Sequence, residues 1–200
     1  KGSFKSEKIP QEEQARVNEF FQQLMESVAE SDDKLLEKFF DEGELRPEEI
    51  KEGLKDAFQK QTFIPVFAMA SALSVGVPQL LDFISEHSPS PLDVGKSEAL
   101  RSDDSKVEIS IEETSPVLSV FKTVSEAHVG ELSFFRVFSG KIETGIDLKN
   151  TNRNQQERVG QIFQMNGKER NQVKSISAGD IGAFVKLKNT HTGDTLSDPK

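Results

Sequence analysis

The hydrophobic period of this chain changes once along its length, and that change constrains the fold more than any single motif. Up to about residue 90, apolar residues recur every three or four positions; from about residue 106 they recur every second position. The first spacing buries one stripe of an α-helix and the second buries one face of a β-strand. Two units of different class are therefore expected, helical first and strand-rich second. Between them, Ser88-Pro89-Ser90-Pro91 ends the last helix, because each residue before a proline is pushed out of the helical region. The text that follows is polar, with Gly95, Lys96, Ser97 and Ser102. The expected organisation is a first unit over residues 1–91, a linker over 92–105 and a second unit over 106–200.

In the first unit, Pro10 opens a helical pattern that runs to about Ala29, with Val17, Phe20, Phe21, Leu24, Met25 and Val28 on one stripe. Ser31 or Asp32 is placed to cap a shorter helix carrying Leu35, Leu36, Phe39 and Phe40, which Gly43 ends. Pro47 suits the first turn of a third helix whose inner face is Ile50, Leu54, Ala57 and Phe58. Glu12, Glu13, Glu48 and Glu49 lie on outer faces and read as solvated surface. Phe63 to Leu73, FIPVFAMASAL, is uncharged and rich in Phe, Val and Ile. It predicts a strand buried on both faces, of the kind found in parallel sheets. No comparable strand precedes residue 105, so this one has no sheet of its own and is expected to pair with a rearranged segment or another copy. Ser71, Ala72, Ser74 and Gly76 then lead into helical spacing at Val77, Leu80, Leu81, Phe83 and Ile84. Strand, small-residue loop and helix make half of an α/β unit, whose ligands bind at the carboxyl end of the strand.

In the second unit, alternation predicts strands at Val107–Ile111, Val117–Phe121, Leu132–Phe138, Lys141–Leu148, Arg158–Gln164 and Ala183–Leu187. Gly130, Gly140, Gly145, Asn166-Gly167, Gly179 and Gly193 stand at the turns between them. Many short strands in under 100 residues point to a small antiparallel β-barrel. The fold class expected for the whole is α+β: helices with one or few strands left over from an α/β domain, then the barrel.

The net charge of −9 is unevenly spread. Residues 1–115 hold 13 basic and 25 acidic residues, a net of −12; residues 116–200 hold 12 and 9, a net of +3. The second unit can thus approach a polyanion that the first would repel. There are no cysteines, which excludes disulfides and thiolate metal sites. No apolar run approaches the roughly 20 residues of a membrane-spanning helix, and a cytoplasmic chain is the expectation. His87, His128 and His191 are far apart in sequence and read as surface or turn residues. There is no G-x-x-x-x-G-K-[ST] loop to cradle phosphates. No phosphoryl transfer is expected from this polypeptide.

Four strings in the second unit resemble domain II of elongation factor G, the translational GTPase that drives ribosomal translocation. They are V-G-E-L-S-F-F-R-V-F-S-G at Val129 to Gly140, G-Q-I-F-Q-M at Gly160 to Met165, A-G-D-I-G-A at Ala178 to Ala183 and T-G-D-T-L at Thr192 to Leu196. The first unit is similar to the end of the same family's GTPase domain. There the matching text is S-D-D-K-L-L-E-K-F-F at Ser31 to Phe40, the run ending in Ser71-Ala72-Leu73, and S-P-S-P at Ser88 to Pro91.

The resemblance implies that Ser71, Ala72 and Leu73 are the last guanine-recognition loop, where main chain and small side chains border the base. The family's phosphate loop, switch regions and N-K-x-D motif have no counterpart in this sequence. It is thus expected to be a non-catalytic piece of a GTPase, an expectation that fits its starting at Lys1 rather than Met. GTP would bind in the intact parent and no cofactor in the piece. The barrel would pack against the rest of the parent and contact small-subunit ribosomal RNA through Arg136, Lys141, Arg158, Lys186 and Lys188. Phe134, Phe135 and Phe138 are candidates for stacking on bases or for the core. The rival readings are another ribosomal GTPase, of release-factor or ribosome-protection type, and a stand-alone RNA- or protein-binding barrel.

Overall fold

The structure is a computed structural model that describes residues 7–101, 103–126 and 130–199. His128, Val129 at the head of the first barrel string, and Ser102 of the expected linker lie outside the described residues. The chain divides into two compact units, with the boundary between Ser90 and Pro91.

The first unit is helical: α1 (Gln14–Ala29), α2 (Asp33–Glu42), α3 (Pro47–Gln59) and α4 (Val77–His87). Asp32 caps α2, accepting hydrogen bonds from the Lys34 and Leu35 amides at 3.0 and 3.2 Å, and Gly43 ends it at φ 75°. Met25, Val28, Ala29, Phe39, Leu45 and Leu54 form the core. Gly53 lets α3 approach closely, since a Cβ there would fall 2.6 Å from Val28 Cγ1. Only the second half of the α1 stripe is buried; Phe20 and Phe21 stay more than half exposed. Glu49 also departs from the sequence reading. It is 15% exposed and bonds to Arg46 Nη2 at 2.6 Å and Lys38 Nζ at 2.7 Å.

The strand expected over residues 63–70 is absent. The segment runs extended but joins no sheet among the described residues, beyond one bridge between Ala70 and Val75. Phe63 packs on the helical core, and Phe67 meets the ring of Phe83 on α4 edge-on at 5.1 Å. Ile64 and Val66 point the other way and are 82% and 92% exposed. Burial on both faces needs partners on both, and the helices here cover one.

The second unit begins with α5 (Pro91–Val94), followed by β1 (Lys96–Leu100) and β2 (Lys106–Ser110) paired as a hairpin. Five of the fourteen residues read as a linker, Lys96–Leu100, are therefore strand; the alternation there rests on Ser97 and Ala99, too weak a pattern to stand out. The other strands are β3 (Val117–Glu126), β4 (Gly130–Ser139), β5 (Lys141–Glu143), β6 (Asp147–Asn150), β7 (Gln155–Arg158), β8 (Ile162–Asn166), β9 (Glu169–Val173), β10 (Ser175–Ser177), β11 (Ile181–Val185) and β12 (Thr195–Ser197). Eight of them form one antiparallel sheet in the order β7-β6-β12-β3-β4-β11-β8-β9, and β5 pairs with β10. The sheet wraps a core of Leu118, Val120, Phe135, Val137, Ile142, Leu148, Val159, Ile162, Ile176, Phe184 and Leu196. This is the barrel-like architecture that the turn spacing predicts. Two bulges in the β3–β4 ladder, at Val117/Leu118 and Val120/Lys122, add twist.

Candidate functional site

The loop with Ser71, Ala72 and Leu73 is built by its own backbone. Ala70 and Val75 exchange two amide bonds, at 3.0 and 3.1 Å, which closes the loop. The Leu73 amide donates to the Ala70 carbonyl and the Ser74 amide to that of Ser71, both at 3.0 Å. The chain enters α4 through Ser74 at φ 57° and Gly76 at φ 77°. A side chain at Gly76 would meet Met69 Cβ at 3.0 Å and the Ala68 carbonyl at 3.2 Å, so only glycine fits. Ser71, Ala72 and Leu73 are all exposed, Leu73 by 67%. The geometry presents a short, stiff edge of main chain and small side chains at the head of a helix.

The five basic residues singled out in the barrel do not converge. Lys141 pairs with Glu143 at 2.7 Å and Arg158 with Asp147 at 2.9 Å. Lys186 and Lys188 are exposed and follow β11. Lys186 bonds through its amide to the Glu131 carbonyl, at the opposite end of β4 from Arg136, about 17 Å along the strand. Arg136 differs from the others: its guanidinium lies over the ring of Phe138, 5.2 Å from the centroid.

Around Arg136 the outer face of the sheet carries a set of rings and cations. On β4, Phe134, Arg136 and Phe138 alternate with the fully buried Phe135 and Val137. Phe135 is thereby assigned to the core, stacked on Phe184 with 3.9 Å between centroids. On β3, Lys122 sits opposite Phe134, its Nζ 5.8 Å from the ring centroid. Phe121, in the bulge, is 49% exposed and lies 6.4 Å from Phe134. Sequence reading missed Lys122 and Phe121, because strand alternation does not reveal a bulge.

Another polar cluster has its carboxylates buried in the fold. Asp194, of the T-G-D-T-L string, is 5% exposed and accepts from Asn150 Nδ2 at 2.9 Å, Arg153 Nε at 2.8 Å and the His191 amide at 2.9 Å. Burial pushes its pKa up, but the bonds from Arg153, Asn150 and the His191 amide outweigh this and hold it below the ordinary carboxylate range. Glu157, 4% exposed, accepts from the Lys188 and Asn189 amides and from Thr190 Oγ1. The two carboxylates fasten the loop between β11 and β12 to β6 and β7. His87 is half-buried against Phe83, and the His191 imidazole lies 4.0 Å from Glu131, so that His191 joins the cluster through its backbone alone.

The wrapped sheet, its strand order and its four strings can be set beside known proteins. Residues 117–199 match the sequence model of elongation factor G domain 2. Over this segment, about two fifths of its length, the chain is similar to that family. The resemblance to elongation factor G domain 2 drawn from the four strings thus holds over β3 to β12. For the chain as a whole, a crystal structure of a protein from Thermus thermophilus superposes with a TM-score of 0.75 at 24% identity. It covers 98% of this chain, and the chain spans 27% of that protein. That likeness extends the shared fold over both units. Among the described residues, no helix is long and apolar enough to cross a membrane.

Proposed function

We propose that this chain is part of a translational GTPase of the elongation factor G type, in which GTP hydrolysis is coupled to movement of tRNA and mRNA on the ribosome. The observation that carries the reading is the elongation factor G domain 2 match over residues 117–199. The assignment of residues 1–91 to the end of a GTPase domain rests on the strings at Ser31 to Phe40, Ser71 to Leu73 and Ser88 to Pro91. On this reading the barrel is a contact module for small-subunit ribosomal RNA and for the rest of the parent, and the protein works in the cytoplasm. Lys141 and Arg158 are already paired with carboxylates, which leaves Arg136, Lys186 and Lys188 for an RNA contact, and of these Arg136 lies against a ring. The loop at Ser71, Ala72 and Leu73 borders guanine in the intact protein. In this chain it stands without a phosphate cradle, and phosphate contacts supply most of nucleotide affinity.

The test is GTP turnover by the full-length gene product, with and without ribosomes. Ribosome-stimulated hydrolysis is expected; absence of turnover under both conditions overturns the reading. Calorimetry of the 200-residue chain with GTP is expected to give no measurable heat of binding, and a micromolar constant would mean that the nucleotide site lies elsewhere.

A further inference from the structure

Two depressions flank Arg136 on the outer face of the barrel. One, of about 640 Å³, is lined by Phe138, Val117, Ser119, Ile109 and Leu100 among others. The other, of about 480 Å³, is lined by Phe134, Met165, Asp180 and Ile181 among others. Both fall within the size range of small-ligand sites, and each has one phenylalanine ring in its wall. The two rings are four residues apart on one strand, about 13 Å, with Arg136 between them. Among the described residues neither Lys122 nor Arg136 has a carboxylate partner; each instead lies over a ring.

Rings in shallow depressions, interleaved with cations that no protein carboxylate neutralises, suit a ligand that is both flat-faced and anionic. A polynucleotide meets both conditions only where its bases are unpaired, because a duplex hides base faces from the protein. We propose that this face binds an unpaired RNA segment, with bases stacked at Phe134 and Phe138 and phosphates held by Lys122 and Arg136. The inference rests on the reading of the barrel as an RNA-contact module and adds which face is used and that the strand is single. Asp180 can accept but not donate when ionised, so it faces a base N–H, such as N3–H of uracil, and not a phosphate.

The experiment is fluorescence anisotropy of the 200-residue chain with labelled oligouridine of about ten nucleotides, in competition with a hairpin duplex of equal charge. The expected result is salt-dependent binding of oligouridine in preference to the duplex. Phe134→Leu and Phe138→Leu should each weaken it about 5- to 100-fold. Lys122→Ala and Arg136→Gln should each lower the salt slope by about one. Lys34→Ala, on α2 of the helical unit, should leave binding as it is. Circular dichroism melts of the leucine variants establish that they fold. Preference for the duplex, or leucine variants that bind oligouridine as tightly as wild type, overturns the stacking site. If the leucine variants still co-sediment with small ribosomal subunits, the RNA-contact reading survives that failure. A chain that binds neither oligouridine, duplex nor subunits brings down both.

Discussion

Asp194 and Asn150, forty-four residues apart, meet in the interior of the barrel through a hydrogen bond of 2.9 Å from the amide nitrogen to the carboxylate. Arg153 closes on the same oxygen at 2.8 Å. The Asp194 of the T-G-D-T-L string is therefore a keystone of the β11–β12 loop, and its place in the string needs no ligand to explain it. Asp194→Ala leaves the His191 amide and Arg153 Nε without their acceptor and takes from Asn150 Nδ2 one of its three, the Asn189 carbonyl and Thr190 Oγ1 remaining, at a cost of about 3 kcal/mol. Urea denaturation of the barrel should register it as a lower midpoint at unchanged slope. A loss below about 0.5 kcal/mol, the range of ordinary surface changes, would mean the network is ornamental.

Acid should reach the helical unit through Glu49. The hydrogen bond from Arg46, followed by that from Lys38, lowers its pKa to about 2. A carboxyl whose folded pKa is depressed contributes stability that is complete above its unfolded value, about 4.3, and that fades as pH falls toward the folded value. The thermal midpoint of the helices should thus fall between about pH 4.5 and pH 2, and fall less in Glu49→Gln, which has already lost the charge. Equal acid sensitivity in the two proteins would assign the effect to other carboxylates.

Two glycines of the barrel should answer differently to alanine. A Cβ at Gly182 would sit 2.7 Å from Phe135 Cζ and 3.1 Å from Ile176 Cγ1, inside a packed core. At Gly160 it would meet nothing within 4 Å. Gly182→Ala should cost about 1–3 kcal/mol through overpacking, whereas Gly160→Ala should be neutral or slightly stabilising. Paired melting curves decide it, and equal midpoints for the two variants would contradict the packing described.

Ile64 and Val66 should make the chain associate with itself. An extended segment with an open edge and an exposed apolar face invites pairing, and these side chains are 82% and 92% exposed. Sedimentation velocity is expected to show a concentration-dependent shift that Ile64→Lys with Val66→Lys abolishes without lowering the thermal midpoint. A protein that stays monomeric over the whole concentration range counts against it.

Much of this architecture was legible before the structure. The α2 cap at Asp32, the stop at Gly43 and the alternation of β4 are local effects that the sequence spells out residue by residue. What escaped were features set by partners. FIPVFAMASAL has the composition of a doubly buried strand, yet burial depends on neighbours that the segment cannot encode by itself. Glu49 looked like a solvated carboxylate because its cations, Arg46 and Lys38, approach from two different elements. In the barrel, Arg136 was visible as a lone cation, but Lys122 and Phe121 join it only because a bulge shifts β3 by one residue. The four short strands β1, β9, β10 and β12 carry few apolar residues and left little periodic trace.

In residues 63–67 the odd positions are held by the helices and the even ones stand free, so the phase of this segment is set before any neighbour arrives. A strand that came to lie beside it could shift by two residues and still match inward with inward side chains. A shift of one would set its own alternation against a pattern that Phe63 and Phe67 have already fixed. The segment is thus half of a zipper whose teeth are cut, and it can close only on a partner cut to the same phase.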